Sequence, residues 1–198
     1  MAPIQEYMME RSAEIAMART AAPVSISGDA AVWVLTSHGY ESAVKGTNGF
    51  VCVVERSWSA DTDDPVFWNP KIRGPVCLNA VSAKTQIPIL LLRTKLILAS
   101  PSKDHLLEGL KAAFAKNELR EPDNGSMCFM MSSQGYLGDG VGHWHPHLMY
   151  FTPLADPESW GANLKGSPVL GARDAPDHLT IYYVPIGRWS DGTVAPPM

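Results

Sequence analysis

Short runs in which apolar residues return at every second position, many of them β-branched or aromatic, recur along most of this chain: residues 31–35, 50–56, 127–132, 148–152 and 179–185. A period of two places alternate side chains on opposite faces of an extended strand. A strand cannot satisfy its own backbone donors and acceptors, so these runs commit the chain to a sheet. Helical spacing is confined to fewer stretches. Residues 3–21 put Ile4, Tyr7, Met8, Ile15 and Ala18 near one face, and Pro23 stops the pattern. Strands and helices that are segregated along the chain predict an α+β fold, with an antiparallel sheet of about five to seven strands and the helices packed on one side. At 198 residues the whole chain, 1–198, fits one globular domain.

In finer detail, Val24-Ser25-Ile26-Ser27 alternates and reads as a strand before the Gly28-Asp29 turn. Residues 40–45, the stretch Gly46-Thr47-Asn48-Gly49 and residues 50–56 predict a hairpin, because Asn-Gly supplies the positive φ angles of a tight reversal. Residues 57–76, with Asp61, Asp63, Asp64 and several prolines, predict a long loop. Its acids lack the glycine and the terminal carboxylate that an EF-hand requires in register from Asp61, so a solvated turn is the better account than calcium. Asn79 or Ser82 caps a helix ending near Gln86, and Pro88 can open a second segment, with strand left as an alternative for 89–98. Ser100-Pro101 predicts the start of an amphipathic helix over 101–117, with Leu106, Leu107, Leu110, Ala113 and Phe114 as its apolar stripe. Residues 153–178, rich in Pro, Gly and Asp, predict irregular structure, and 189–198 a tail.

Charge and composition exclude several functions. A net charge of -4 with no basic block offers no electrostatic footprint for nucleic acid. The most apolar stretch, 87–98, contains Pro88, Arg93 and Lys95 and falls short of the roughly 20 apolar residues of a membrane span. The N-terminus carries Glu6, Glu10 and Glu14 and has none of the basic and apolar regions of a signal peptide. Cys52, Cys77 and Cys128 show no CxxC spacing and permit at most one intramolecular disulfide; Cys52 and Cys128, inside strand-like runs, read as small buried hydrophobes. Ser100-Pro101-Ser102-Lys103 fits the Ser-x-x-Lys pattern, but the partner motifs of penicillin-interacting enzymes are missing, and ordinary helix capping explains it.

Chemistry concentrates in Gly138-Asp139-Gly140-Val141-Gly142-His143-Trp144-His145-Pro146-His147, which runs into the strand-like residues 148–152. In an extended chain His143, His145 and His147 share a face with Met149 and Phe151, so their imidazoles can converge on a divalent transition metal, zinc first. Pro146 cannot donate to a ladder, which places this segment at a sheet edge or in a loop entering a strand at His147. Asp139, His178 and Asp177 are the candidates to complete the site or to assist as acid-base groups. The competing readings are surface histidines with one structural hydrogen bond at His147, and metal-free acid-base chemistry. His-Trp-His-Pro resembles the first cupin motif, but no acid follows in 148–151 and the helices fit a jelly roll poorly.

Asn48-Gly49-Phe50-Val51-Cys52-Val53-Val54-Glu55-Arg56, the histidine segment through Phe151 and the stretch from Arg19 to Pro23 together resemble an uncharacterised family of bacterial, often exported proteins with no assigned activity. The resemblance implies a periplasmic or secreted protein whose chain begins after a leader, although the chain alone is equally compatible with the cytoplasm. The first functional expectation is therefore a metal-binding protein of hydrolytic type, with His143, His145 and His147 as ligands and Asp139 or His178 assisting. The second is a non-enzymatic module in which Trp144, Trp160 and Trp189 line a pocket for an apolar or sugar-like small molecule. A structural envelope protein is the third. Substrate, oligomeric state and biological role are not legible in these residues.

Overall fold

A computed structural model describes residues 1–138 and 145–196. The described strands are β1 (Ala31–Thr36), β2 (Gly39–Val44), β3 (Val51–Glu55), β4 (Gly74–Leu78), β5 (Met127–Met130), β6 (His147–Pro153), β7 (Leu170–Asp174) and β8 (Leu179–Pro185). They form one eight-stranded sheet in the order β2-β1-β3-β4-β5-β6-β8-β7. The α+β class holds, but the strand number exceeds the expected five to seven, and the sheet is mixed because β1 and β3 run parallel.

The expected hairpin between 40–45 and 50–56 does not form. Strand β2 turns back on β1 through Ser37 and His38, while β3 pairs with the other side of β1. The Asn48-Gly49 turn, with Gly49 at φ 80°, serves instead to carry the chain across β1. Asn48 holds it there by donating to the Ile26 carbonyl at 2.7 Å and accepting from the Phe50 N–H at 3.1 Å. Of the Asn-Gly pair only Gly49 takes a positive φ, and strand partnership is a tertiary property that the turn residues do not set.

Two strands lay hidden in expected loops. Strand β4 contains Pro75, which argues against a central strand, yet β5 pairs only with Cys77 and Leu78, so the missing N–H breaks no bond on that side. Strand β7 is a polar edge strand whose alternation is weak. Residues 24–27, expected as a strand, form instead a single helical turn, α3 (Val24–Ser27), after Pro23.

The N-terminal helix is split into α1 (Ile4–Tyr7) and α2 (Arg11–Arg19), because Glu10 is extended and its carboxylate caps α2 by accepting from the Ala13 N–H. Helix α4 (Ala80–Ala99) is continuous through Pro88 and starts at Asn79, whose side chain accepts from the Ser82 N–H at 2.8 Å. Helix α5 (Lys103–Ala115) is capped by Ser102, not by Ser100.

Helices cover both faces of the sheet, not one. On one face α2 packs across β1, β3 and β4 over Val32, Val34, Cys52, Val54 and Cys77. Small alanines at 18, 21 and 22 let that helix approach closely, and Cys52 and Cys77, opposite each other in the ladder with Cα atoms 4.0 Å apart, are joined as a disulfide beneath it. On the other face α4 lies over β4 and β5 and carries α5 on its back. No helix among the described residues is long and apolar enough to cross a membrane.

Candidate functional site

The sheet and α4 do not close completely on each other. Between them is a cavity of about 370 Å³, within the usual size range of small-molecule sites. Gln86, Ile89, Leu90 and Arg93 line it from α4, at the i, i+3, i+4, i+7 spacing of one helical face. Across from them stand Val76, Leu78, Met149, Phe151, Leu179 and Ile181, the alternate residues of the central and C-terminal strands. These walls are apolar. Carboxylates gather around them: Glu55 from the end of β3, Asp61 and Asp64 from the loop after β3, Asp174 from β7 and Asp177 from the β7–β8 turn.

Glu55 is the unusual member. It projects beside Gly74, its partner in the ladder, where a Cβ would come within 3.1 Å of the Met130 Cε and 3.7 Å of the Glu55 Cβ. Its carboxyl has no hydrogen-bond or ion-pair partner among the described residues. Burial pushes it up to about 7; the nearby Arg93 guanidinium opposes that shift and the Asp177 charge reinforces it. A carboxyl so placed exchanges its proton near neutral pH.

Arg93, 1 % exposed, is held through Nε and Nη1, while its Nη2 has no hydrogen bond among the described residues. Its Nε donates to Asp177 at 3.1 Å, and its Nη1 donates to the Trp58 and Ala60 carbonyls at 2.7 and 3.0 Å. Asp174 stands 4.0 Å from Nη2. Burial pushes the Asp174 and Asp177 carboxyls up, with the Asp177 charge adding to the first and the Asp61 charge to the second, against the pull of Arg93. Arg56, which also reaches the cavity wall, is committed to Glu14 on α2 at 2.8 Å and to the Tyr7 carbonyl. The Cys128 thiol is pushed well up by burial and stays protonated, so it is no nucleophile.

Of the residues singled out from sequence, Asp139, His143 and Trp144 lie outside the described residues. His147 opens β6 and faces the cavity with Met149 and Phe151, as the alternation predicts. Its Nδ1 lies 2.9 Å from the His145 carbonyl, which can only accept, so the proton sits on Nδ1 and the Nε2 carries the lone pair. Burial lowers its pKa, against the bond to the His145 carbonyl, and the Tyr183 ring meets it edge-on with centroids 5.6 Å apart. His145 lies in the coil just ahead of β6, half-buried.

His178 is elsewhere. It follows Asp177 with φ 55° and stacks on Phe114 with centroids 4.0 Å apart, its Nδ1 3.8 Å from Glu121. The β6–β8 ladder runs from His147↔Pro185 to Pro153↔Leu179, so His178 sits about 20 Å from His147 and cannot share a ligand set with it. Asp177, by contrast, does reach the cavity. Trp160 is largely exposed and stacks on Tyr182 on the opposite face of the sheet, and neither it nor Trp189 lines this cavity, whose aromatic members are Phe151 and Tyr183. Among the described residues no three or more His, Cys, Asp or Glu side chains are arranged so that they could hold a metal ion.

Glu55, Arg93, Asp61 and Asp174 carried no functional weight in the sequence. The one available signal was Arg93, a lone charge inside an apolar helical stretch. No family model, curated protein or solved structure matches this chain.

Proposed function

We propose that this protein takes up a small amphipathic molecule in the cavity beneath α4, with Glu55 as the group that exchanges a proton or a hydrogen bond with it. The carrying observation is the Glu55 carboxyl, placed without a partner in an apolar cavity of about 370 Å³. A half-buried carboxyl whose charge its surroundings disfavour costs stability when ionised, and function is the usual reason to tolerate that cost. Substituting Gln86, a half-buried residue of the α4 wall, by Trp projects an indole into the cavity. Molecules found to stabilise the native protein against heat in a screen of small amphipathic compounds should lose their effect in Gln86→Trp. Hits that survive this variant would place binding elsewhere.

A metal-binding reading has one observation in its favour. Metal-ligating histidines commonly fix their tautomer by donating the other ring N–H to a backbone carbonyl, and His147 has that arrangement with His145. His147, with His145 and His143, would hold the ion. A bound zinc ion would lower the pKa of a coordinated water and polarise a carbonyl, the chemistry of hydrolysis. Elemental analysis after dialysis against zinc, copper and iron salts tests this reading: near-stoichiometric metal that disappears in His145→Ala supports it, and unchanged uptake removes His145 from the set. The Cys52–Cys77 disulfide favours an oxidising compartment, in keeping with export.

A further inference from the structure

We infer that the occupant of this cavity is an organic cation, an ammonium group carried on a short aliphatic body, with its charge seated against Glu55. The inference rests on the cavity reading above and names the class of its ligand.

The argument is one of charge matching. Five carboxyls line the cavity, Glu55, Asp61, Asp64, Asp174 and Asp177, against two guanidiniums. Arg56 is spent on Glu14 at 2.8 Å, and Arg93 is held by Asp177 at 3.1 Å and by two carbonyls, which leaves its Nη2, 4.0 Å from Asp174, without a hydrogen bond among the described residues. Glu55, Asp61, Asp64 and Asp174 are left without a cation within hydrogen-bond distance among the described residues. An anionic ligand would find one open guanidinium donor, Arg93 Nη2, and that donor already faces Asp174 at 4.0 Å, so the surplus of acids would repel it; an ammonium donates a charge-assisted hydrogen bond to the Glu55 carboxylate and relieves the mutual repulsion of the acids. Asp61, exposed at the cavity edge, and Asp64 extend the negative potential outward, which draws cations toward a low-dielectric pocket. Beyond the acids Val76, Ile89, Leu90 and Phe151 give the walls an apolar stretch that suits a hydrocarbon body.

The test uses hexylamine, 1-hexanol and hexanoate, which share a body and differ in charge, titrated calorimetrically into the full chain, into Glu55→Gln and into Gln86→Trp. Hexylamine should bind at least about tenfold tighter than hexanol, since a charge-assisted bond replaces a neutral one. Hexanoate should bind weakest. In Glu55→Gln the amine and the alcohol should come within about twofold of each other, and in Asp174→Asn the amine should weaken by about threefold through the loss of longer-range attraction. Hexanol or hexanoate binding as tightly as the amine, with all binding lost in Gln86→Trp, would overturn the cationic assignment and leave the cavity reading standing. Amine affinity unchanged in both Glu55→Gln and Asp174→Asn would do the same. Absence of binding by all three probes, or binding that survives Gln86→Trp, would sink both.

Discussion

Glu55 and Arg56 are neighbours at the end of β3, and they meet opposite fates. Arg56 turns toward the face covered by α2 and finds Glu14, whose carboxylate also accepts from the Leu35 N–H at 3.0 Å, while its own remaining donors reach the Tyr7 and Val54 carbonyls. Glu55 turns toward the face covered by α4 and finds a cavity with further acids. Both faces bury charge, but only the first is balanced. A balanced buried pair is architecture: it fixes how α2 sits on the sheet and offers nothing to a ligand. An unbalanced set is held in place by the surrounding fold at a cost, and that surplus distinguishes a site from a core.

The comparison breaks most visibly on the balanced side. Arg56→Met strands the Glu14 carboxylate, 0 % exposed, without a counter-charge and removes the bond to Tyr7 that ties the α1 turn to β3. Breaking one side of such a pair costs about 3–5 kcal/mol. Urea unfolding at neutral pH should show a loss of that order, and a loss below about 1 kcal/mol would mean that the pair is not the clamp proposed for this face.

On the unbalanced side the same kind of substitution should stabilise. From the ordinary carboxyl value of 4.5 up to about 7 the folded protein keeps the Glu55 proton that the unfolded chain has released. Stability from this group therefore falls as pH rises through that window, is unaffected below it, and above it carries the full penalty of at most about 3 kcal/mol. Glu55→Gln cannot ionise and keeps the side-chain volume. Its unfolding free energy should match the native protein near pH 4 and exceed it by about 2 kcal/mol near pH 8. Equal stabilities at both pH values would show that the carboxyl is solvated in the folded state, and the contrast with Arg56 would vanish.

What the sequence disclosed and what it withheld follow one physical division. Period and capping are local, so the strands at 127–130, 147–153 and 179–185 and the helix stripe at Leu106 and Leu110 could be read directly, as could the common facing of His147, Met149 and Phe151. Partnership is not local. Nothing in residues 40–56 says that β1 will come between β2 and β3, and nothing near Cys52 names Cys77 rather than Cys128 as its partner until β3 and β4 are aligned. The site is the least local feature of all. Glu55, Asp61, Arg93 and Asp174 are drawn from four regions of the chain, and each looks ordinary until the fold sets them around one cavity. The histidine segment drew attention because its density is visible in one dimension, whereas the carboxyl cluster exists only in three.

His178 provides the smallest and most discriminating check. It is next in sequence to Asp177, at the turn that feeds an acid into the cavity, yet its ring points away onto Phe114. With φ at 55° it holds a conformation that glycine adopts without steric cost. His178→Gly gives up a stacked ring contact of about 0.5–1 kcal/mol. The relaxed backbone returns about 1 kcal/mol, so the net change in stability should be near zero. For Asp177 the His178 ring is a lesser influence than burial and Arg93, both of which the substitution leaves in place. Hexylamine affinity at pH 8 should therefore stay within about twofold of the native value, far from the effect of Glu55→Gln. A tenfold loss in His178→Gly would mean that the turn, and not the carboxyl surplus inside the cavity, sets recognition, and the contrast between the two faces of β3 would no longer locate the site.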